Sequence, residues 1–557
     1  MEESTYSSLI ETDEAQKNTT SGRKQGGWPT FPFIIATVAG ITLASSGVSA
    51  NMIVYLIQEF NIESITATQI NNVFNGTIYL IPFLAAIIAD SFFGSFTVAF
   101  VSSCVSFLGT VVIALTATLK WLRPQHCINN NNGSNMCKPA SVMQYGVLYL
   151  GIALAAVGFG GNSFTPAALG ANQFPNNPRN QTIFFNWFFV TLYIVSILAF
   201  SVVVYIQDNV SWGLGFWICA VSNLIALVVF MVGYRYYLPE TPKGSAFVDL
   251  ARVPVASIRK WKSQISSSTH DYYYSVGDDD DHDGMVSVST IPAKRFRFFN
   301  RAALITDGES IEKPWRLCTV EQVEDFKKVF GILPLWTSTI FISIPIAMLT
   351  NLATLQALVM DGQIGPHFKF PAGSISIIIF ISTSIFLSIL DRVLWPLYQK
   401  ITGKAPTSLQ RIGVGHVFNL LAMVVSAVVE WKRLEMLHDE NKSMSILWLF
   451  PQLALVGVGE AFHYPGQVLF CYQQLPQSLS STSTAMISLI MGISYYLTTA
   501  LTDQVHTSTN WLPDNINVGR VDNVYWMLVI FSGINFVYYL MCAAFYKYHK
   551  ILEENDV

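Results

Sequence analysis

The sequence predicts an all-α membrane protein of about twelve spanning helices in two sets of six. Three observations carry this. Only 12% of the 557 residues are charged, against about 25% in ordinary soluble proteins, and mean hydropathy is +0.41. Twelve stretches approach the roughly 20 apolar residues that a bilayer core of about 30 Å requires. A long polar, basic segment divides them into six and six.

In chain order, residues 1–27 are polar and rich in Ser, Thr and Glu, and read as a disordered cytoplasmic tail. A first bundle, 28–237, has apolar windows at 31–58, 70–89, 97–119, 143–172, 184–206 and 213–237. Residues 238–325 form a linker. Its segment "AFVDLARVPVASIRKWK" is amphipathic with a basic end and suited to lie on the inner leaflet, or to be an ordinary surface helix. Its "GDDDDHDG" run reads as a solvated acidic stretch, because a calcium loop would need a Glu where Thr290 stands. The second bundle, 326–546, has windows at 328–359, 372–398, 410–428, 445–472, 483–502 and 524–546, and a cytoplasmic tail, 547–557, follows.

Orientation comes from charge. Thirteen Lys and Arg between Lys243 and Lys328 place the linker in the cytoplasm. Both termini then lie inside, and the sequons at Asn132 and Asn209 fall outside as possible glycosylation sites. Cys127 and Cys137 flank the first sequon and read either as a small disulfide or as two reduced thiols. A net charge of −4 indicates no nucleic-acid partner. No cofactor, metal set or nucleophile–base constellation is legible, so an enzyme is not expected. The tail and linker offer Ser and Thr to a regulatory kinase, without a specific pattern.

Finer motifs narrow the class. "NNVFNGTIYLIPFLAAIIADSFFG", "GFGGNSFTPAALGANQF", "FFNWFF", "KRFRFFNRAALIT", "DRVLWP", "EWKRLE" and "PQLALVGVGEAFHYPGQ" occur in order between residues 28 and about 500. Together they resemble the plant nitrate/peptide transporter family, part of the proton-dependent oligopeptide transporters of the major facilitator superfamily, and most of all its nitrate-excretion branch. The resemblance implies two six-helix bundles working by alternating access at the plasma membrane.

It also exposes losses. Proton-coupled importers of this family carry a Glu-x-x-Glu-Lys/Arg motif in the first helix. Here that motif falls on Val38, Ala39, Gly40, Ile41 and Thr42, of which Val38, Ile41 and Thr42 replace its charged members. The family's fourth-helix basic residue aligns with Ser163, and the nitrate importers' seventh-helix histidine with Ile346. Asp90 resembles the superfamily's gating Asp in the loop after the second span.

Ionisable groups inside a bilayer are rare and default to function. Glu460 is one such acid, matching the family's tenth-helix Glu, with His463 three residues on. A lone carboxyl in apolar surroundings favours its neutral form; a protonated His463 would donate to an anion. Alternatively the two hydrogen-bond as packing glue. Polar candidates for the substrate path are Asn51, Asn75, Tyr79, Asn162, Ser163, Thr165 and Gln356, each equally readable as interhelical glue. Pro166, Pro345 and Pro465 are expected to interrupt three spans, as breaks that face a cavity or as ordinary kinks that neighbouring helices tolerate, and Gly158, Gly160 and Gly161 to permit close helix packing.

The leading expectation is a voltage-driven exporter of nitrate, possibly chloride. Its rivals are a proton-coupled importer of nitrate or a larger organic solute, and a non-transporting nutrient sensor.

Overall fold

The computed structural model describes residues 26–125, 128–129, 135–136, 139–174, 177–238, 244, 246–266, 268–274, 292–305, 315–439, 442–475 and 483–546. Cys127, Cys137, Asn132 and the 278–283 acidic run lie outside these residues. Eleven helical runs among the described residues are long and apolar enough to cross a membrane. One of them, Ser64–Thr118, has 55 residues, about 80 Å if straight and far more than a core of about 30 Å. It breaks at Gly94, whose φ of 75° no helix contains. The run is therefore two spans, Ser64–Ile88 and Gly94–Thr118, and the crossings among the described residues number twelve.

The first span is Phe31–Ala50 continued by Met52–Phe60, and the fourth is Val142–Asn162 continued by Thr165–Asn172. The fifth begins at Pro178 and ends at Asn209, and the sixth is Trp212–Gly233. The seventh to twelfth are Val320–Val359, Ala372–Thr402, Ser408–Asp439, Ile446–Gln474, Ser483–Ser508 and Val521–Phe545. The first, third and sixth spans pack on one another, as do the second, third and fourth on their shared side. In the second bundle the ninth packs on the tenth and twelfth, and the seventh on the eleventh and twelfth. The bundles meet most extensively through the second and eleventh spans. The N-terminal end and the linker share one face, called here the linker face. Loops after odd-numbered spans occupy the opposite face.

The structure corrects the reading of two of the three prolines. Pro345 and Pro465 sit inside unbroken helices; neighbouring helices tolerate the lost backbone bond. The fourth span does break near Pro166, but at Ser163–Phe164, leaving Pro166 in the first turn of the next helix, where its missing N–H is harmless. The linker helix Ala246–Arg259 turns its apolar side to protein: Val253 and Ala256 join Tyr272, Leu304 and Val323 in one core. Phe247 meets Phe83 of the second span at 4.6 Å.

In lipid, where apolar surface gives helices no reason to associate, close backbone approach does much of the joining. A Cβ on Gly158 would stand 2.2 Å from the Ser106 backbone nitrogen, so only glycine lets the third and fourth spans touch there. Gly158→Leu should lower stability by about 1–3 kcal/mol or more, read as a fall in the thermal unfolding midpoint of the purified protein. Gly146→Ala, whose new methyl meets nothing within 4 Å, should leave the midpoint unchanged or slightly raised.

Candidate substrate cavity

A cavity of about 350 Å³ lies between the bundles, at the small end of the roughly 300–1,000 Å³ common for ligand sites. Residues one helical turn apart build each wall, because positions i and i+4 share a helix face. The first span presents Ser45 and Ser49, the second Asn71, Asn75 and Tyr79, and the fifth Tyr193. From the other bundle come Thr350, Asn351 and Thr354 of the seventh span, Glu460 and Tyr464 of the tenth, and Ser494 and Tyr495 of the eleventh. Among the described lining residues Glu460 is the one acidic side chain, and none is Lys, Arg or His. Among the described residues Glu460 has no hydrogen bond or ion pair.

A chain of neutral hydrogen bonds runs up one wall and across to the other bundle. Ser49 Oγ donates to Asn75 Oδ1 (3.0 Å), and Asn75 Nδ2 to the Asn71 carbonyl (2.9 Å). Asn71 Nδ2 donates to Asn351 Oδ1 (3.1 Å), and Asn351 Nδ2 returns to Asn72 Oδ1 (2.6 Å). Nearer the opposite face, Gln69 Nε2 donates to Asp503 (3.2 Å) and the Ile65 N–H to Asp514 (3.4 Å). These contacts roof the cavity on that side. Toward the linker face, Tyr79 and Tyr495 stack with centroids 5.6 Å apart.

Of the residues expected on the path, the structure brings together Asn75, Tyr79 and Glu460. The other six stand elsewhere. Asn51 is buried at the break in the first span, against Gly373, where an added Cβ would come within 2.2 Å of its Oδ1. Asn162 accepts from Ser103 Oγ (3.1 Å) and donates to the Gly158 carbonyl (3.0 Å). Ser163 and Thr165 donate to the carbonyls of Phe159 (3.0 Å) and Gly161 (2.6 Å). All three support the break in the fourth span. Gln356 donates to Glu430 (2.6 Å) and accepts from the Tyr525 hydroxyl (3.0 Å).

His463 is buried against Gly415 and His416 of the ninth span, with the imidazole centroids 5.4 Å apart. At about 100° per residue, position i+3 is rotated about 60° from Glu460 and i+4 only about 40° on the other side. Tyr464 takes the cavity side, and His463 turns into the interface. Tyr193, Tyr464, Tyr495, Asn71 and Asn351 are lining residues that sequence reasoning missed. The i+4 spacing from Glu460 and Asn75 was the available signal.

Val38 and Ile41 are buried, Thr42 lies beside them half-buried, and none lines the cavity; the first span reaches it from Ser45 onward. Ile346, by contrast, does line it. Asp90 sits in a wide turn, Ala89–Phe93, at the linker-face end, where its carbonyl accepts from the Gly244 N–H (3.2 Å). Asn209 is exposed at the other end of the fifth span.

A second buried charge set was legible only as "EWKRLE". Arg433 donates from Nε and Nη2 to the two Glu430 carboxylate oxygens (2.7 and 2.8 Å) and from Nη1 to Asn517 (2.7 Å). With Gln356 and Tyr525 this network joins the seventh, ninth and twelfth spans.

Two six-helix bundles around a polar central cavity define a transporter of the major facilitator type. Residues 96–519 match the POT family (PTR2). The chain is 48% identical over 551 residues to Protein NRT1/PTR FAMILY 2.6 of Arabidopsis thaliana, covering 97% of this chain and 96% of that protein. It is 47% identical over 550 residues to Protein NRT1/PTR FAMILY 2.7 of the same plant, with 97% and 96% covered. Among solved structures, an auto-inhibited POT family peptide transporter superposes with a TM-score of 0.70 at 16% identity, over 94% of this chain and 98% of that one. The POT family transporter PepTSo gives 0.67 at 17%, over 93% and 98%. The chain belongs to the POT family: it is a multi-pass membrane transporter, not an enzyme.

Removing one partner of a buried ion pair strands the other. Arg433→Met should therefore cost about 3–5 kcal/mol, while Glu430→Gln combined with Arg433→Met should recover much of that loss. Thermal unfolding of the two purified variants checks this; a double variant less stable than the single would contradict it.

Proposed function

We propose that this transporter is a plasma-membrane anion facilitator, carrying nitrate, with chloride as the competing small anion, outward at low affinity by alternating access. The observation that carries the reading is the cavity's chemistry: hydroxyl and amide donors on both walls, a single acid, and no cation. Neutral donors recognise an anion weakly and release it readily, which suits low affinity and fast turnover. A negative-inside membrane drives a monovalent anion outward by about 2.3 kcal/mol per 100 mV, so no proton need be carried. The uncharged first span, with Val38, Ile41 and Thr42 at the proton-coupling positions, supports the same conclusion. Glu460 works protonated in this scheme, as one more donor. The resemblance to the nitrate-excretion branch supports the choice of substrate. Both termini face the cytoplasm, Asp90 serves the cytoplasmic gate, and Asn209 is open to glycosylation.

One observation favours a second reading. Glu460 is grouped with Tyr79, Tyr193, Tyr464 and Tyr495, and an acid among aromatic faces suits an amine. That would make the chain a proton-coupled importer of an organic solute.

Proteoliposomes with an imposed potential and a nitrate gradient, but equal pH on both sides, separate the two. The facilitator gives nitrate flux under those conditions, and Glu460→Gln keeps it within about twofold, a loss too small to mark an essential transition-state contact. Flux only with a proton gradient, abolished by Glu460→Gln and competed by amines, would establish the importer instead.

A further inference from the structure

A groove of about 680 Å³, larger than the central cavity, opens on the second bundle between the eighth, ninth and twelfth spans. Its lining is graded. Thr407, Gln410 and Arg411 sit at the linker-face end, Val414 and Val417 line the part further along the ninth span, and Leu540 of the twelfth span lines the groove as well. Arg411 and Val417 are six residues apart on one helix, about 9 Å along its axis. The polar end thus lies at headgroup depth and the apolar end in the hydrocarbon, with Val414, Val417 and Leu540 all exposed.

Most polar groups in the groove are committed. The Thr407 N–H donates to Gln410 Oε1 (2.9 Å) and the Gln410 N–H to Thr407 Oγ1 (3.2 Å), capping the ninth span. The Tyr539 hydroxyl donates to the Leu409 carbonyl. Arg411 is different. Its guanidinium lies over the Trp395 ring at 4.5 Å, and its Nε is buried with no acceptor among the described residues. The exposed Asp391 carboxylate acts on Arg411 electrostatically, without an ion pair between them among the described residues. Arg411 is the one cation among the described lining residues, and Lys400 and Lys404 are exposed on the segment that leads from Tyr398 to Pro406 at the same end.

We propose that this groove binds an anionic phospholipid, with the phosphate at Arg411 and an acyl chain along Val414, Val417 and Leu540. Each half needs the other. A soluble anion would leave the apolar half unused, and a zwitterionic lipid would not balance the excess positive charge. If the linker face is cytoplasmic, as the basic loops predict, the groove opens to the leaflet that carries the anionic lipids.

The test is lipid retention by the full chain, measured by native mass spectrometry after exchange into equal phosphatidylserine and phosphatidylcholine. Phosphatidylserine should be retained about tenfold over phosphatidylcholine, the ratio a preference of one order in Kd gives. Arg411→Gln should bring the ratio near one. Val417→Trp, which fills the groove and keeps the charge, should also reduce phosphatidylserine retention, and it keeps the test decisive if Arg411→Gln fails to fold. Inorganic phosphate in excess should not displace the lipid. Equal retention of both lipids by the unaltered chain, a preference unchanged in both variants, or displacement by phosphate would each overturn the proposal.

Discussion

Hydrocarbon cannot solvate a charge, and the internal organisation of this protein follows from that constraint. Charges that stay inside must be paired, and the Glu430–Arg433 network shows how completely: two forked hydrogen bonds between the charges, with Gln356 and Asn517 on their remaining edges. Such a pair adds little net stability over apolar packing but fixes the geometry of the helices that carry it. Glu460 is treated the opposite way. It faces an internal cavity among hydroxyls and amides, without a partner among the described residues, where water or a solute can meet it.

The same economy of charge shapes the junction between bundles. Above the cavity the halves are joined chiefly by amide hydrogen bonds, Asn71 to Asn351 and Asn351 to Asn72. Interhelical hydrogen bonds inside membranes average only about 0.6 kcal/mol. A roof of that kind separates at small cost when the bundles rock, and its amide part, Asn71, Asn72 and Asn351, contains no titratable group. Because Asn71 and Asn351 also line the cavity, the donors that close the roof are among those a bound anion would meet.

Span number, the six-and-six division and the family were legible in the sequence, because hydropathy over 20 residues is a strong signal where backbone bonds must be satisfied internally. Ends were less legible where polar residues continue a helix. The ninth span was expected to stop at 428 but runs to Asp439, since pairing lets Glu430 and Arg433 remain helical and buried. The break at Asn51 left no hydropathy signature. Site residues were the hardest to read. A polar side chain in a membrane helix can satisfy a helix break, as Asn162 and Ser163 do, or face the cavity, as Asn75 does, and composition is identical in both cases. Only the facing helix decides, and it lies tens to hundreds of residues away: Asn71 meets Asn351, and Gly415 draws His463 toward the ninth span.

The central claim is that voltage, and not a proton gradient, moves the substrate. The reversal potential of the current carried by the reconstituted protein tests it most directly. If a monovalent anion moves alone, reversal shifts by about 59 mV for each tenfold change in the nitrate gradient and stays fixed when pH is changed on one side. A reversal potential that moves with the proton gradient at constant nitrate would contradict the account.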